Sequence, residues 1–140
     1  MNDQSIDINK GNNQDATPFY ISCQNGHIEI VKLLLNDQRV EINKANRYDK
    51  IPFHVACENG HIEIVKLLLA SEREVNLNPK YLPAIDIARE KEKRMLKICP
   101  NIVELIELFE GNPNKTRFEL RIQLGLIGKI LFSLFFYFID

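Results

Sequence analysis

Apolar residues recur at helical spacing in two segments of the chain, and each segment predicts a pair of short helices. In the first segment, Phe19, Ser22 and Cys23 follow a proline and have the i, i+3, i+4 spacing of one helical face. Proline suits the first turn of a helix because its φ is already helical and its missing N–H has no partner to lose there. Gly26 predicts the end of this helix, since glycine adopts the left-handed conformation without steric cost. Residues 28–35 then give a second helix with its own apolar face.

The same pattern returns 34 residues later with few changes. Residues 25–35 read NGHIEIVKLLL, and residues 59–69 have the identical letters. Further matches lie upstream, TPFY at 17–20 with IPFH at 51–54 and IDINK at 6–10 with VEINK at 40–44. Self-similarity at this period is typical of stacked-repeat proteins. Because one helix pair cannot bury its apolar stripe alone, neighbouring pairs are expected to stack into an α-solenoid.

These residues resemble the ankyrin repeat family, whose pattern is Thr-Pro-Leu-His-x-Ala-Ala, Gly-His, a Val-x-x-Leu-Leu helix and a loop ending in Val-Asn. The resemblance is close over residues 6–88 and loose to about residue 110. It implies an all-α fold, an ankyrin-repeat α-solenoid of stacked helix pairs joined by hairpin loops. The first repeat departs from the pattern with Tyr20 in the histidine position, and the second with Ile51 in the threonine position. Neither repeat has the complete Thr–His pair, so the resemblance implies a less stable relative with the same fold.

The predicted organisation is two regular repeats followed by a degenerate one. The segments are 1–15, the loop of an incomplete N-terminal repeat; 16–49 and 50–78, ankyrin repeats; 79–110, a degenerate capping repeat; and 111–140, a helical and apolar C-terminal tail. The first full repeat is expected to have an uncovered N-terminal side. Two interpretations stay open: the chain is part of a longer array, or the open face recruits a partner or a second copy.

Two more helices are predicted near the C-terminus. The first follows Pro100 and ends before Gly111, with an apolar face formed by Ile102, Val103, Ile106 and Phe109. Asn112-Pro113 and Thr116-x-x-Glu119 both have the form of a helix start, the second as a capping box. The apolar positions expected on this last helix are Phe118, Leu120, Ile122 and Leu124.

Composition and charge narrow the class of protein. The 140 residues, 45% hydrophobic and 26% charged, are typical of one globular domain. A net charge of −1 gives no electrostatic footprint for nucleic acid, so no nucleic-acid partner is predicted. The three cysteines include no Cys-x-x-Cys, and Cys23 and Cys57 hold equivalent repeat positions. They are predicted to be small core residues in a reducing compartment, and the absence of a secretory signal predicts a cytoplasmic location.

No group of residues in the sequence predicts catalysis, a cofactor or a metal site. His54, Cys57 and His61 are potential zinc ligands, but a fourth ligand is lacking and Gly60 interrupts the helix between them. A catalytic thiolate needs a base and a partly open pocket, whereas the cysteines are expected on packed faces. The chain is therefore predicted not to be an enzyme and to bind no cofactor.

The resemblance also implies a function, because loop tips and the solvent face of the first helix carry recognition in ankyrin relatives. It implies a non-catalytic protein-interaction module or adaptor, which binds a partner protein through the loop tips and the concave helix face. The implied partner-binding positions are Asn13, Gln14, Ala16, Gln24, Arg47, Tyr48, Lys50 and Glu58. Tyr48 beside Arg47 is the expected anchor, since Tyr and Arg are enriched at binding hot spots.

The apolar stretch 124–139 suggests an alternative function, a membrane-tethered ankyrin adaptor with a membrane-associated location. As a helix it would extend about 24 Å, which is shorter than the roughly 30 Å of a bilayer core. Lys129 lies within it, although near one end, where a long side chain reaches the interface. Three interpretations stay open: a membrane anchor, a helix packed on the capping repeat, and a stretch without an evolved role.

Overall fold

The structure is a computed structural model that describes residues 6–77 and 100–126 of the chain. Over these two ranges it contains six α-helices and no strand. They are α1 (Pro18–Asn25), α2 (Ile28–Asn36), α3 (Pro52–Glu58), α4 (Ile62–Ala70), α5 (Pro100–Gly111) and α6 (Pro113–Gln123). The first four helices form two hairpins that stack side by side, so the predicted all-α fold of stacked helix pairs is confirmed.

The first hairpin shows why these residues fold locally as predicted. The Thr17 hydroxyl oxygen accepts a hydrogen bond from the Tyr20 backbone N–H (3.1 Å), which caps the start of α1. Gly26 has a φ of 76° and ends the helix in the left-handed conformation. Phe19 and Cys23 lie on the predicted apolar face and are buried.

The core lies where the two hairpins meet. Helix α1 packs against α3, and α2 packs against α4. Phe19 and Phe53, at equivalent positions, are both buried in this core, as are Cys23 and Cys57. Burying one phenylalanine side chain stabilises a fold by about 1.5–3 kcal/mol, so the two buried rings make a substantial contribution to the stability of both hairpins.

Asparagine side chains connect the segments that precede each hairpin. Asn9 donates through Nδ2 to the Arg39 carbonyl (2.7 Å) and accepts at Oδ1 from the Glu41 N–H (2.8 Å). Asn43, its copy, makes two bonds of the same kind, donating to the Glu74 carbonyl (2.8 Å) and accepting from the Asn76 N–H (3.0 Å). One side-chain amide thus bonds to two backbone groups further along the chain, at an exposed position of the stack.

A histidine of the second repeat fits against the glycine turn of the first. His61 Nε2 lies 2.9 Å from the carbonyl oxygen of Gln24. A Cβ atom placed on Gly26 would be only 2.7 Å from Cε1 of the His61 ring. Gly26 is therefore needed twice, for its left-handed backbone and for the close approach of this ring.

His54 lies in the second repeat, whose Thr–His pair is incomplete. His54 is buried, and its Nδ1 lies 3.4 Å from the Ile51 N–H, a long separation for a hydrogen bond. Its Nε2 has no hydrogen-bond partner among the residues that the structure describes. Burial lowers the pKa of His54 to about 4; the Glu58 carboxylate opposes this shift and the Lys50 ammonium adds to it. The imidazole is therefore neutral in the folded protein at pH 7.

The two C-terminal helices pack on α4. Arg117 Nε donates to the Leu69 carbonyl (3.4 Å), and Arg121 Nε donates to the Ala70 carbonyl (2.9 Å). Leu69 and Ala70 are the last residues of α4, whose carbonyls have no partner within the helix. Two guanidinium groups at the negative end of the α4 dipole therefore close this end of the helix.

The predicted helix start at Thr116 is wrong, whereas the start at Asn112 is confirmed. The Asn112 side chain accepts from the Lys115 N–H (3.1 Å), and α6 begins at the following proline. Thr116 lies inside α6, and its hydroxyl donates to the Leu108 carbonyl of α5 (2.9 Å). This bond joins the two helices instead of capping one of them.

The predicted apolar face of α6 is only partly buried. Leu120 is buried and Leu124 partly so, but Phe118 and Ile122 are each more than half exposed. The helix turns Thr116, Leu120 and its two arginines toward the rest of the protein, so Phe118 and Ile122 face away. On α5 the prediction succeeds, because Ile102, Ile106 and Phe109 are all buried.

Several predictions fall on residues outside the described ranges. These include most of the degenerate repeat, residues 78–99, the side chain of Val103 and the apolar tail from residue 127 onward. The proposed repeat boundaries therefore stay predictions. Of the helices that the structure describes, none is long and apolar enough to cross a membrane.

Replacing Gly26 by alanine is expected to destabilise the fold clearly. A left-handed backbone costs an ordinary residue about 1–2 kcal/mol, and the added Cβ also meets the His61 ring. Thermal unfolding of Gly26→Ala should therefore show a melting temperature lower by several degrees. Gly111→Ala is the matched control, since it ends a helix and a Cβ atom placed on it would meet nothing within 4 Å. Equal melting temperatures for the two variants would contradict the proposed role of Gly26.

The neutral, buried His54 predicts a loss of stability in mild acid. Above pH 6.5 the imidazole is neutral in both states; as the pH falls toward 4, the unfolded chain binds a proton that the folded protein does not. From pH 7 to 4.5 this single group should lower the unfolding free energy by on the order of 2 kcal/mol. Urea unfolding at the two pH values measures the loss, and His54→Gln should reduce it.

His27→Gln serves as the control for that experiment, because it also removes one imidazole but at an exposed position of the first repeat. Only His54→Gln is expected to reduce the wild-type loss. A wild-type loss that persists in full in His54→Gln would show that His54 is not the titrating group.

Candidate partner-binding surface

The loop before α3 is a hairpin tip organised by one asparagine. Asn46 Oδ1 accepts from the N–H groups of Tyr48 (2.9 Å) and Lys50 (3.1 Å). Its backbone N–H donates to the Lys50 carbonyl (2.9 Å), and Asp49 adopts a φ of 57°. Asparagine and aspartate both suit such turns, the first through its side-chain acceptor and the second by tolerating the left-handed conformation. The backbone of the tip is thus fixed by its own residues.

The loop before α1 repeats this construction and lies next to the loop before α3; in chain order they are called the first and the second tip. Asn12 Oδ1 accepts from the Gln14 N–H (2.9 Å), and Asp15 has a φ of 58°. The Arg47 N–H donates to the Gln14 carbonyl (2.9 Å), so a backbone hydrogen bond joins the two tips. Four of the exposed residues at these tips, Asn13, Gln14, Arg47 and Tyr48, are called the tip surface below.

The second tip is anchored to α1 by a buried hydrogen bond. Asn46 Nδ2 donates to the Tyr20 hydroxyl oxygen (3.0 Å), and both residues are buried. Burial raises the pKa of Tyr20 to about 12; the Glu58 charge adds to the shift and the Asn46 hydrogen bond opposes it. The hydroxyl therefore stays protonated and holds the loop at every physiological pH. Tyr20, which departs from the family's histidine, links one repeat to the next.

Lys50 and Glu58 form an ion pair between the second tip and α3. Lys50 Nζ donates to both carboxylate oxygens of Glu58, at 2.7 and 2.9 Å. Each side chain is about half exposed, so the pair contributes at most about 1 kcal/mol to stability. Its larger effect is on the surface charge, because the two predicted binding residues form a neutral pair there.

The predicted binding residues differ in how exposed they are. Ala16 is buried, which makes its predicted contact with a partner wrong: its N–H bonds to Asn12 Oδ1 and its methyl group joins the core. Gln24 is exposed on α1, as predicted for the solvent face of a first helix. Tyr48 is 62% exposed beside the exposed Arg47. Whether these residues bind a partner stays a prediction.

Several residues that shape this surface were not predicted from the sequence. Asn12 and Asp15 are repeated 34 residues later as Asn46 and Asp49, so an Asn-x-x-Asp spacing was available as a signal. These four residues build the tips that present the variable side chains. The bond from Asn46 to Tyr20 had no comparable signal, because each residue type is ordinary at its own position.

No other chemistry is evident in the described part of the chain. Residues 6–77 and 100–126 contain no group of three or more His, Cys, Asp or Glu side chains placed to hold a metal ion. Burial raises the pKa of the Cys23 thiol to about 12, so this cysteine is not a nucleophile at neutral pH.

Comparison with known proteins agrees with this architecture. A family model described as ankyrin repeats (3 copies) matches residues 2–80, which is more than half of the chain. A search of the curated proteins finds no match. Proteins of the matched family are generally protein–protein interaction modules and typically non-catalytic. The chain belongs to the ankyrin repeat family.

Proposed function

We propose that this protein is a non-catalytic adaptor that binds a partner protein through the tip surface and the adjacent solvent face of α1 and α3. The observation that carries the proposal is the exposed ring of Tyr48 beside Arg47, on a loop fixed by internal hydrogen bonds. A large exposed aromatic residue on a rigid loop has no role in the packing of this fold.

Rigidity of the second tip favours binding because little freedom is lost on association. Ordering flexible side chains and loops at an interface opposes affinity, and a preformed loop avoids most of that cost. Here the Asn46 side chain fixes the tip through three bonds, to Tyr48, Lys50 and Tyr20. The backbone at Tyr48 is thus fixed before any partner arrives.

Arg47 indicates the chemistry of the partner. Its exposed side chain makes no ion pair with a residue that the structure describes, whereas the nearby Lys50 is paired with Glu58. A guanidinium group presents a planar fork that fits a carboxylate with two hydrogen bonds. We therefore infer a partner surface with a carboxylate or backbone carbonyls opposite Arg47 and an apolar pocket for the Tyr48 ring.

Truncating both anchor residues is expected to weaken partner capture strongly. Hot-spot residues contribute 2 kcal/mol or more, so Arg47→Ala with Tyr48→Ala should reduce affinity at least about tenfold. Quantitative pull-down with the full chain measures which proteins the wild type enriches and the double variant loses. The control is Glu29→Ala with Lys32→Ala, an exposed pair on α2 that lies away from the tips.

Both double variants should keep the wild-type melting temperature, because all four side chains are largely exposed. Partners captured equally by the wild type and the tip variant would eliminate the tip surface as the binding site. Loss of the same partners in the α2 control would place the contact on another face.

A further inference from the structure

Helix α6 has a second apolar face, on the side that faces away from the stack. Phe118 and Ile122 are four residues apart, so their side chains are neighbours on this face of the helix. They are 56% and 54% exposed, and Leu126, just after the helix, is 47% exposed. The opposite face packs on the rest of the protein through Thr116 and Leu120. Single exposed apolar residues are common on protein surfaces, whereas adjacent ones call for an explanation.

The backbone changes direction directly after this face. Gly125 has a φ of 67°, and its N–H donates to the Ile122 carbonyl (3.1 Å). The Leu126 N–H donates to the Arg121 carbonyl (2.8 Å). Two such bonds around a left-handed glycine form a Schellman motif, which ends a helix and turns the chain. At Leu126 the backbone is therefore already turned out of the axis of α6.

The segment that comes next in the sequence, residues 127–139, is strongly apolar. Its residues are all apolar or aromatic, except for Gly128, Lys129 and Ser133. Apolar surface of this extent favours burial against other apolar surface. As a helix the segment would extend about 20 Å, more than the roughly 12 Å that separates residues 126 and 118 along α6. It is therefore long enough to reach Phe118 and Ile122 from its attachment at Leu126.

We propose that residues 127–139 fold back on α6, cover Phe118 and Ile122, and form the C-terminal cap of the repeat stack. The contact would bring together the exposed apolar face of α6 and the apolar segment attached to it. Lys129 lies close to the attachment point, where its long side chain can extend to solvent. The segment would then belong to the folded array and would not serve as a membrane anchor. This contact is independent of the tip surface.

Residues 78–99, the other long segment outside the described ranges, are a poorer occupant of this face. Residues 89–94 within it are all charged. A charged run of this kind is typical of a solvated surface, and burying its charges against apolar side chains would be costly.

Attachment to α6 also favours residues 127–139 over any separate molecule. A segment joined at Leu126 meets the face at a high effective concentration, in the millimolar range for a short flexible connection. A second copy of the chain or a bilayer would have to bind from solution, and a second copy would also lose translational and rotational freedom.

The test replaces Phe118 in the full chain by the photoreactive residue p-benzoylphenylalanine and identifies the cross-linked peptides by mass spectrometry. The proposal predicts a cross-link within one chain to residues 127–139. Mixing with an isotope-labelled wild-type chain distinguishes links within one chain from links between two copies. The same photoreactive residue in place of Glu29, which is exposed on α2, is the control and should give no link to residues 127–139.

A matched pair of variants tests the same contact by stability. Phe118→Lys should lower the melting temperature by several degrees, because it places a charge in a covered apolar contact. Gln123→Lys introduces the same side chain at an exposed polar position of α6 and should leave the melting temperature unchanged.

Cross-links from position 118 only to residues 78–99, only to the labelled chain, or to no part of residues 127–139 would each overturn the proposal. Equal melting temperatures for Phe118→Lys and Gln123→Lys would do the same. In flotation with phosphatidylcholine vesicles the wild type should stay in the lipid-free fraction. Flotation with the vesicles that is lost in Phe135→Asp with Phe136→Asp would mean that the segment enters the bilayer, which also contradicts the proposal.

Discussion

Each helix pair depends on a neighbour to cover the apolar residues that it cannot bury itself, and the rest of this structure follows from that constraint. Helices α2 and α4 have the same sequence over eight residues, yet Leu67 is buried and Leu33 is exposed. Local sequence gives both segments the same helix, and the position in the stack decides how much each contributes to stability. At the other end, α5 and α6 supply the cover for α4 with a different chemistry, in which two arginines bond to its last carbonyls.

The departures from the family pattern have unequal consequences. Tyr20 replaces a histidine, and its hydroxyl accepts a hydrogen bond from Asn46 of the next tip, which links the first repeat to the second. Ile51 replaces a threonine and therefore lacks the hydroxyl with which Thr17 caps α1; in the same repeat the His54 ring has one long contact and an Nε2 atom without a described partner. A buried polar atom without a bond typically costs about 1–3 kcal/mol, so the second repeat, not the first, is the weaker by this criterion.

Much of the fold was predictable because the pattern of one helix pair occurs twice in the sequence. The helix starts, the glycine turns and the buried cysteines all follow from the 34-residue period and elementary helix chemistry. The orientation of α6 was not predictable, since it depends on hydrogen bonds from Thr116, Arg117 and Arg121. These side chains donate to carbonyls of α4 and α5 that are distant in sequence. For the same reason the sequence located the tip residues but not the ion pair between Lys50 and Glu58, or the burial of Ala16.

The central claim, that place in the stack and not local sequence decides the energetic role of a residue, is tested most directly by one substitution made at two copies. Leu67→Ala should lower the unfolding free energy by about 2–4 kcal/mol, as expected for a buried leucine, and Leu33→Ala should change it by less than about 0.5 kcal/mol. Urea denaturation of the two variants beside the wild type provides both numbers. Similar losses at the two positions would contradict the account, because they would mean that Leu33 is covered as fully as Leu67.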